Sequence, residues 1–171
     1  MLTFEDQQRY THKADHVLSR YCDPGFVLAR HEALGHQDVV MLEHTVGNDL
    51  MRMRVRFVHA LDAELPEFVR RFAKKRTQIV QTMEWNRNER SGRIRVDAKG
   101  APMRVEGSTR LDDCEGGCVA SIRWELHCGI PLLGSKLEPL VRETMKRMTA
   151  EDQAVTQRLL AQAAAPRARA A

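Results

Sequence analysis

The sequence predicts an α+β protein: one strand, two short helices, a run of antiparallel strands, and a single long helix towards the C-terminal end. Three observations predict it. Between His36 and Gly129, apolar and polar residues alternate over segments of strand length. The links between those segments are short, which imposes antiparallel neighbours, because parallel strands need long crossovers. From Leu133 to about Ala164 the apolar residues recur instead at three-to-four spacing, the pattern of a helix with one buried face. The 171 residues suit one domain with a real core, and 43% hydrophobic against 29% charged residues is a globular balance. With aromatics at 5%, the interior must be filled by Leu, Val, Ile and eight Met, whose unbranched thioethers adapt to irregular space.

Taken in order, LTFEDQQRY alternates through Leu2, Phe4, Asp6, Gln8 and Tyr10, a strand with polar residues inside its pattern. HKADHVLSRYCD carries Val17, Leu18 and Tyr21 at helical spacing. Asp23-Pro24 then opens a second helix, PGFVLARHEALG, which Gly35 ends. QDVVMLEHTV and LMRMRVRFV flank Gly47-Asn48-Asp49 as a hairpin. In its second arm Met51, Met53, Val55 and Phe57 face one way, and Arg52, Arg54 and Arg56 face the other. LPEFVRRFAKK reads as a helix starting near Pro66, with Phe68, Val69 and Phe72 on one turn. Four strands follow: TQIVQTMEW, GRIRVDAKG, APMRVEGSTRL and CVASIRWELHC. Their inner positions include Met103, Val105, Gly107, Thr109 and Leu111, then Ala120, Ile122, Trp124 and Leu126. After the turn GIPLLG, the last helix presents Leu133, Leu137, Leu140, Val141, Met145, Met148, Val155, Leu159 and Leu160, with Thr149-Ala150-Glu151 as a weak point. The economical packing lays this stripe across the inner face of the sheet.

That order, together with DPGFVLARHEALG, LPEFVRRFAKK, QIVQTMEW ending at Trp85, and GIPLLGSKLEPLV, resembles the START-like (SRPBCC) superfamily, whose fold is the helix grip. The stretches are similar to one of its uncharacterised bacterial branches, a domain-of-unknown-function family. The resemblance implies a curved antiparallel sheet gripping the C-terminal helix around a hydrophobic cavity. It also implies one START-like domain over residues 1–164, with 165–171 as a frayed low-complexity tail. Superfamily members bind lipids, sterols, polyketides or hormones, and a minority are cyclases, hydrolases or oxygenase components. The branch supplies a cavity but no substrate.

The expected function is therefore binding or carriage of a hydrophobic or amphipathic, lipid-like small molecule between the sheet and the C-terminal helix. By register, the cavity residues are Met53, Val55, Met83, Trp85, Met103, Val105, Ile122, Trp124, Leu137, Val141 and Met145. Polar inner positions are few: Gln81, Thr109, Gln8 and Tyr10. The alternative is a polyketide cyclase/dehydratase-like enzyme using the same cavity, with Tyr10 or a His handling protons. A third reading is a structural module whose cavity has collapsed. No catalytic residue is assigned, because no acid–base pair stands out on the inner face.

Other chemistry finds little support. The net charge of +4 is spread out, and the densest cluster, RRFAKKR, holds one aromatic and no nucleic-acid-binding motif. A transient contact with an anionic membrane surface suits it better than nucleic acid. CEGGC is one Cys pair where zinc sites want two, or a pair with close His ligands, so it reads first as a plain hairpin tip, with an oxidative Cys114–Cys118 disulfide and a metal site as the lesser alternatives. His12 and His16 share a helix face without a third ligand, and His31, His36 and His44 are scattered. There is no nucleophile elbow and no phosphate loop, and no metal or cofactor is expected. The polar N-terminus has no signal-peptide core and no run approaches a membrane span, so the expected place is the cytoplasm, with reduced thiols. A monomer or homodimer is expected.

Overall fold

The alternating segments become strands of one antiparallel sheet in the computed structural model, which describes residues 1–60, 76–100, 103–129 and 134–164, at 103, 128, 134–138 and 164 by backbone alone. Its strands are β1 (Leu2–Tyr10), β2 (Gln37–Val46), β3 (Leu50–Ala60), β4 (Arg76–Asn86), β5 (Ser91–Ala98), β6 (Met103–Cys114) and β7 (Gly117–Cys128). The helices among the described residues are α1 (Ala14–Tyr21), α2 (Pro24–Ala33) and α3 (Gly134–Ala164). The strand order is β1-β7-β6-β5-β4-β3-β2: β2 to β7 pair with their chain neighbours, and β1 closes onto β7. This is the helix-grip arrangement. The expected helix over LPEFVRRFAKK, the GIPLLG turn, a helix start at Leu133 and the tail 165–171 lie outside the described residues.

Register follows the hydrophobic pattern. Met51, Met53, Val55 and Phe57 are all buried. On the opposite face Arg52 pairs with Glu43 at 3.2 Å and with Glu84, and Arg54 approaches Glu43 at 3.8 Å. A one-residue slip would turn those guanidinium groups inward, at a cost no hairpin turn could offset. α2 begins where Asp23 accepts a 3.0 Å hydrogen bond from Gly25 N, with Pro24 in the first turn.

Two apolar clusters cover the inner face. One joins Val17, Leu18, Phe26 and Val27 of the helix pair to Met51, Met53, Val55, Phe57, Met83 and Trp85. The other gathers Phe4, Val105, Ile122, Trp124 and Leu126, with Val141 and Met145 of α3 packed against it. Ile94 and Val96 border both. α3 touches β1, β7 and α2.

One expectation needs correction. The Thr149-Ala150-Glu151 segment does not interrupt the last helix: α3 runs unbroken, and the Thr149 hydroxyl donates back to the Met145 carbonyl at 2.9 Å. Polar residues there sit on the covering face itself, with Thr149 and Thr156 buried. CEGGC is the hairpin tip expected between β6 and β7. Cys114 pairs with Gly117 at the hairpin tip, but Cys118 is fully buried in the first cluster, where burial pushes its thiol up to about 11. Cys22, Cys114 and Cys118 are free thiols.

Candidate functional site

Between the two clusters, under α3, lies a cavity of about 180 Å³. Of the residues expected there, Met83, Trp85, Ile122, Trp124 and Met145 line it, as do the polar inner residues Gln8, Gln81 and Thr109. Met53, Val55 and Val105 are buried but belong to the packed clusters and not to its wall. Val141 packs against the second cluster. The side chains of Met103 and Leu137 lie outside the described residues.

The two tryptophans are held by glycines. Trp85 is paired across the sheet with Gly92, and Trp124 with Gly107. A Cβ at Gly92 would come within 2.8 Å of the Trp85 ring, and one at Gly107 within 2.7 Å of Trp124. Each indole therefore lies flat on bare backbone, where any side chain would lift it into the cavity.

A polar end completes the site. Gln8 and Tyr10 come from β1, Tyr21 from α1, Arg30 and His31 from α2, and Thr149 and Asp152 from α3. Tyr21 donates to the Tyr10 oxygen at 2.7 Å, leaving the Tyr10 proton for Gln8 Oε1 at 2.9 Å. Gln8 Nε2 donates to the Thr149 carbonyl and to Asp152 Oδ2, both at 3.0 Å. Asp152 Oδ1 lies 3.5 Å from Nε of Arg30, whose guanidinium sits 4.9 Å over the Tyr21 ring; Tyr21 in turn stacks on Trp85. His31 and His36 face each other Nδ1 to Nδ1 at 2.9 Å.

Burial and charge hold these groups in fixed states. Burial, then Arg30 and His36, depress His31 to about 2; burial, His59 and Arg30 depress His36 to about 4. Both rings are neutral near pH 7 and share one proton between their Nδ1 atoms. Burial pushes Tyr21 up to about 12 and Tyr10 well above its ordinary value, so both phenols stay protonated. Burial opposes the charge on Arg30, but Asp152 together with Tyr21 and Tyr10 outweighs it and keeps the guanidinium ionised.

The histidines predict a pH dependence. The unfolded chain takes up their protons near pH 6.5, whereas the folded one resists until about 4 at His36 and about 2 at His31. Below pH 6.5 the unfolded state therefore binds more protons, and stability falls as pH drops from about 6.5 towards 4. Each such histidine contributes at most about 1.4 kcal/mol per pH unit, less for the more accessible His36. Urea melts of the parent and of His31→Phe across that window check this; equal slopes would rule it out.

Sequence reasoning left Arg30, His31, His36, Tyr21 and Asp152 out of the site. One signal was available. Phe26, Val27, Arg30 and His31 recur at helical spacing, which puts a cation and an imidazole on the buried stripe of α2. The outer face of the sheet holds a larger open groove, about 720 Å³, lined by Arg52, Arg54, Arg93, Arg95 and Arg123 with Glu84, Glu106 and Glu125. It is open to solvent, and its lining is mostly charged and polar, with Ile94 its one large apolar residue among those described.

The fold has close counterparts. TTHA0849 of Thermus thermophilus superposes with a TM-score of 0.69 at 15% identity, over 96% of this chain and 100% of that one. Ara h 8.0201 gives 0.66 at 12% identity, over 94% and 98% of the two chains. The Zhui aromatase/cyclase of Streptomyces sp. R1128 gives 0.54 at 15% identity, over 95% and 93%. At these identities the likeness is one of fold, the START-like helix grip. No curated protein matches the sequence. No helix among the described residues is long and apolar enough to cross a membrane. The family model described as "Protein of unknown function (DUF2505)" matches residues 5–160, and the chain belongs to that family.

Proposed function

We propose that this protein binds or carries a hydrophobic or amphipathic small molecule in the cavity under α3. The observation that carries the reading is the wall itself: Met83, Ile122, Met145 and Met148 with the two glycine-seated indoles, around space that no side chain fills. Cavities of about 150 Å³ accept benzene, so this one has room for ring-sized matter. Hiding about 200 Å² of apolar ligand surface contributes about 5 kcal/mol, enough for sub-millimolar affinity. Two solved neighbours of the same fold are described as aromatase/cyclases, which is compatible with a ring-shaped occupant.

The cyclase or dehydratase alternative has less behind it. A general acid or base works best with a pKa near the operating pH. The paired histidines are held neutral, the phenols are held protonated, and Asp152 is engaged by Arg30 and Gln8. That arrangement orients a molecule better than it moves protons.

Naphthalene titration, followed through tryptophan emission, tests the reading. The parent should bind, quenching or shifting Trp85 and Trp124. Ala120→Leu, which fills the wall at a buried inner position, should weaken binding about tenfold while costing at most about 2 kcal/mol of stability. A parent that binds no apolar probe would favour the structural-module reading.

A further inference from the structure

Three nitrogens of residues that line the cavity are buried and make no hydrogen bond among the described residues: Nε1 of Trp85, Nε1 of Trp124 and Nε2 of His31; a fourth, Nε of Arg30, has only its 3.5 Å ion pair with Asp152. Their residues are 4%, 6%, 1% and 5% exposed. Indole and guanidinium N–H groups can only donate, and a desolvated donor without an acceptor is costly to maintain. The two imidazoles add a choice. With one proton shared between the Nδ1 atoms, one Nε2 is left a donor and the other an acceptor, whichever ring holds the proton.

Charge narrows the partner. Among the described residues lining the cavity, the charged side chains are Arg30 from α2 with Asp152 and Glu151 from α3. Asp152 already neutralises Arg30. An anionic head would bring a further negative charge to one guanidinium already paired with Asp152. A cationic head at the α2 end would face that guanidinium and the unmatched donors, since Asp152 is taken by Arg30 and Glu151 is exposed to solvent. An uncharged oxygen meets neither penalty and can accept from the donors left without a partner.

Resting on the cavity-binding reading, we propose that the ligand is an uncharged apolar molecule, ring-sized at its bound end, with a hydroxyl or carbonyl head. The head seats at the α2 end, where Arg30 and His31 stand. The body lies between the indoles and Met145. A hydroxyl suits either imidazole arrangement because it both accepts and donates; a carbonyl suits the donors alone.

Four probes on one ring separate the possibilities: naphthalene, 2-naphthol, 2-naphthoate and 2-naphthylmethylammonium, titrated into the folded protein near neutral pH by calorimetry. Expected is 2-naphthol about tenfold tighter than naphthalene, with both ions weaker than naphthalene. In Arg30→Met/Asp152→Leu, an apolar replacement of the pair, the ratio of 2-naphthol to naphthalene affinity should fall to about one, whatever the affinity for naphthalene itself. The wild-type series stands without that variant if it fails to fold. Naphthoate or the ammonium binding tightest, or 2-naphthol gaining nothing over a naphthalene that binds, overturns this inference and leaves the carrier reading intact. Failure of all four, naphthalene included, overturns both.

Discussion

Asp152→Ala is expected to cost about 3 kcal/mol of stability, seen as a fall in Tm of about 10 °C near neutral pH. The reason is what remains behind. The Arg30 side chain is 6% exposed, and Asp152 is its ion-pair partner at 3.5 Å. Removing the carboxylate leaves a desolvated cation and also takes an acceptor from Gln8 Nε2. The loss belongs to the broken pair and not to a missing attraction. Arg30→Met combined with Asp152→Leu should therefore recover most of it, since apolar residues of similar volume replace buried ion pairs at little or no cost. A single variant melting within about 2 °C of the parent would show that water reaches the pair and screens it.

Gly107→Ala is expected to destabilise by about 1–3 kcal/mol and, more tellingly, to close the cavity. The added methyl would stand 2.7 Å from Cζ3 of Trp124. The obstacle is a rigid ring over a strand backbone, with no flexible chain end to swing aside. β6 is locked on both sides, to β5 and to β7, so the ring must give way. It has one direction to go, into the space under α3 that Trp124 already lines. Naphthalene affinity should fall more than about tenfold and tryptophan emission should shift, both beyond what the stability loss accounts for. Gly92→Ala should act the same way on Trp85, where the contact would be 2.8 Å. Unchanged binding and emission in a folded Gly107→Ala protein would mean that the indole is not seated as described.

The sheet and its inner face were legible because they rest on short-range rules. A period of two along each strand, with short links between neighbours, decides which side chains share a face and which strands lie together. That is why Met53, Val55, Met83, Trp85, Val105, Ile122 and Trp124 could be assigned to one side, and Arg52, Arg54 and Arg56 to the other, from the residues alone. Which of the inward residues pack solid and which border open space was not legible. Met53 and Val105 carry the same alternation as Met83 and Ile122, yet only the latter two reach the cavity. That depends on where α3 crosses the sheet, a matter of three-dimensional packing that no local period encodes.

The polar end shows the same division. Gln8 and Tyr10 stood out as polar residues inside a strand pattern, and Arg30 and His31 interrupt an apolar helix stripe. In sequence these look like four separate imperfections. Only the tertiary structure gathers them at one site and links Gln8, Tyr10 and Arg30 through Asp152, by bringing Gln8 to Asp152 and Thr149 across more than 140 residues. Burial and partners then select their states: an arginine kept charged by a carboxylate and two tyrosines, two imidazoles kept neutral, two phenols kept protonated. The residues supply the groups, but the low dielectric and the partners that determine their chemistry exist only once β1, α1, α2 and α3 have met.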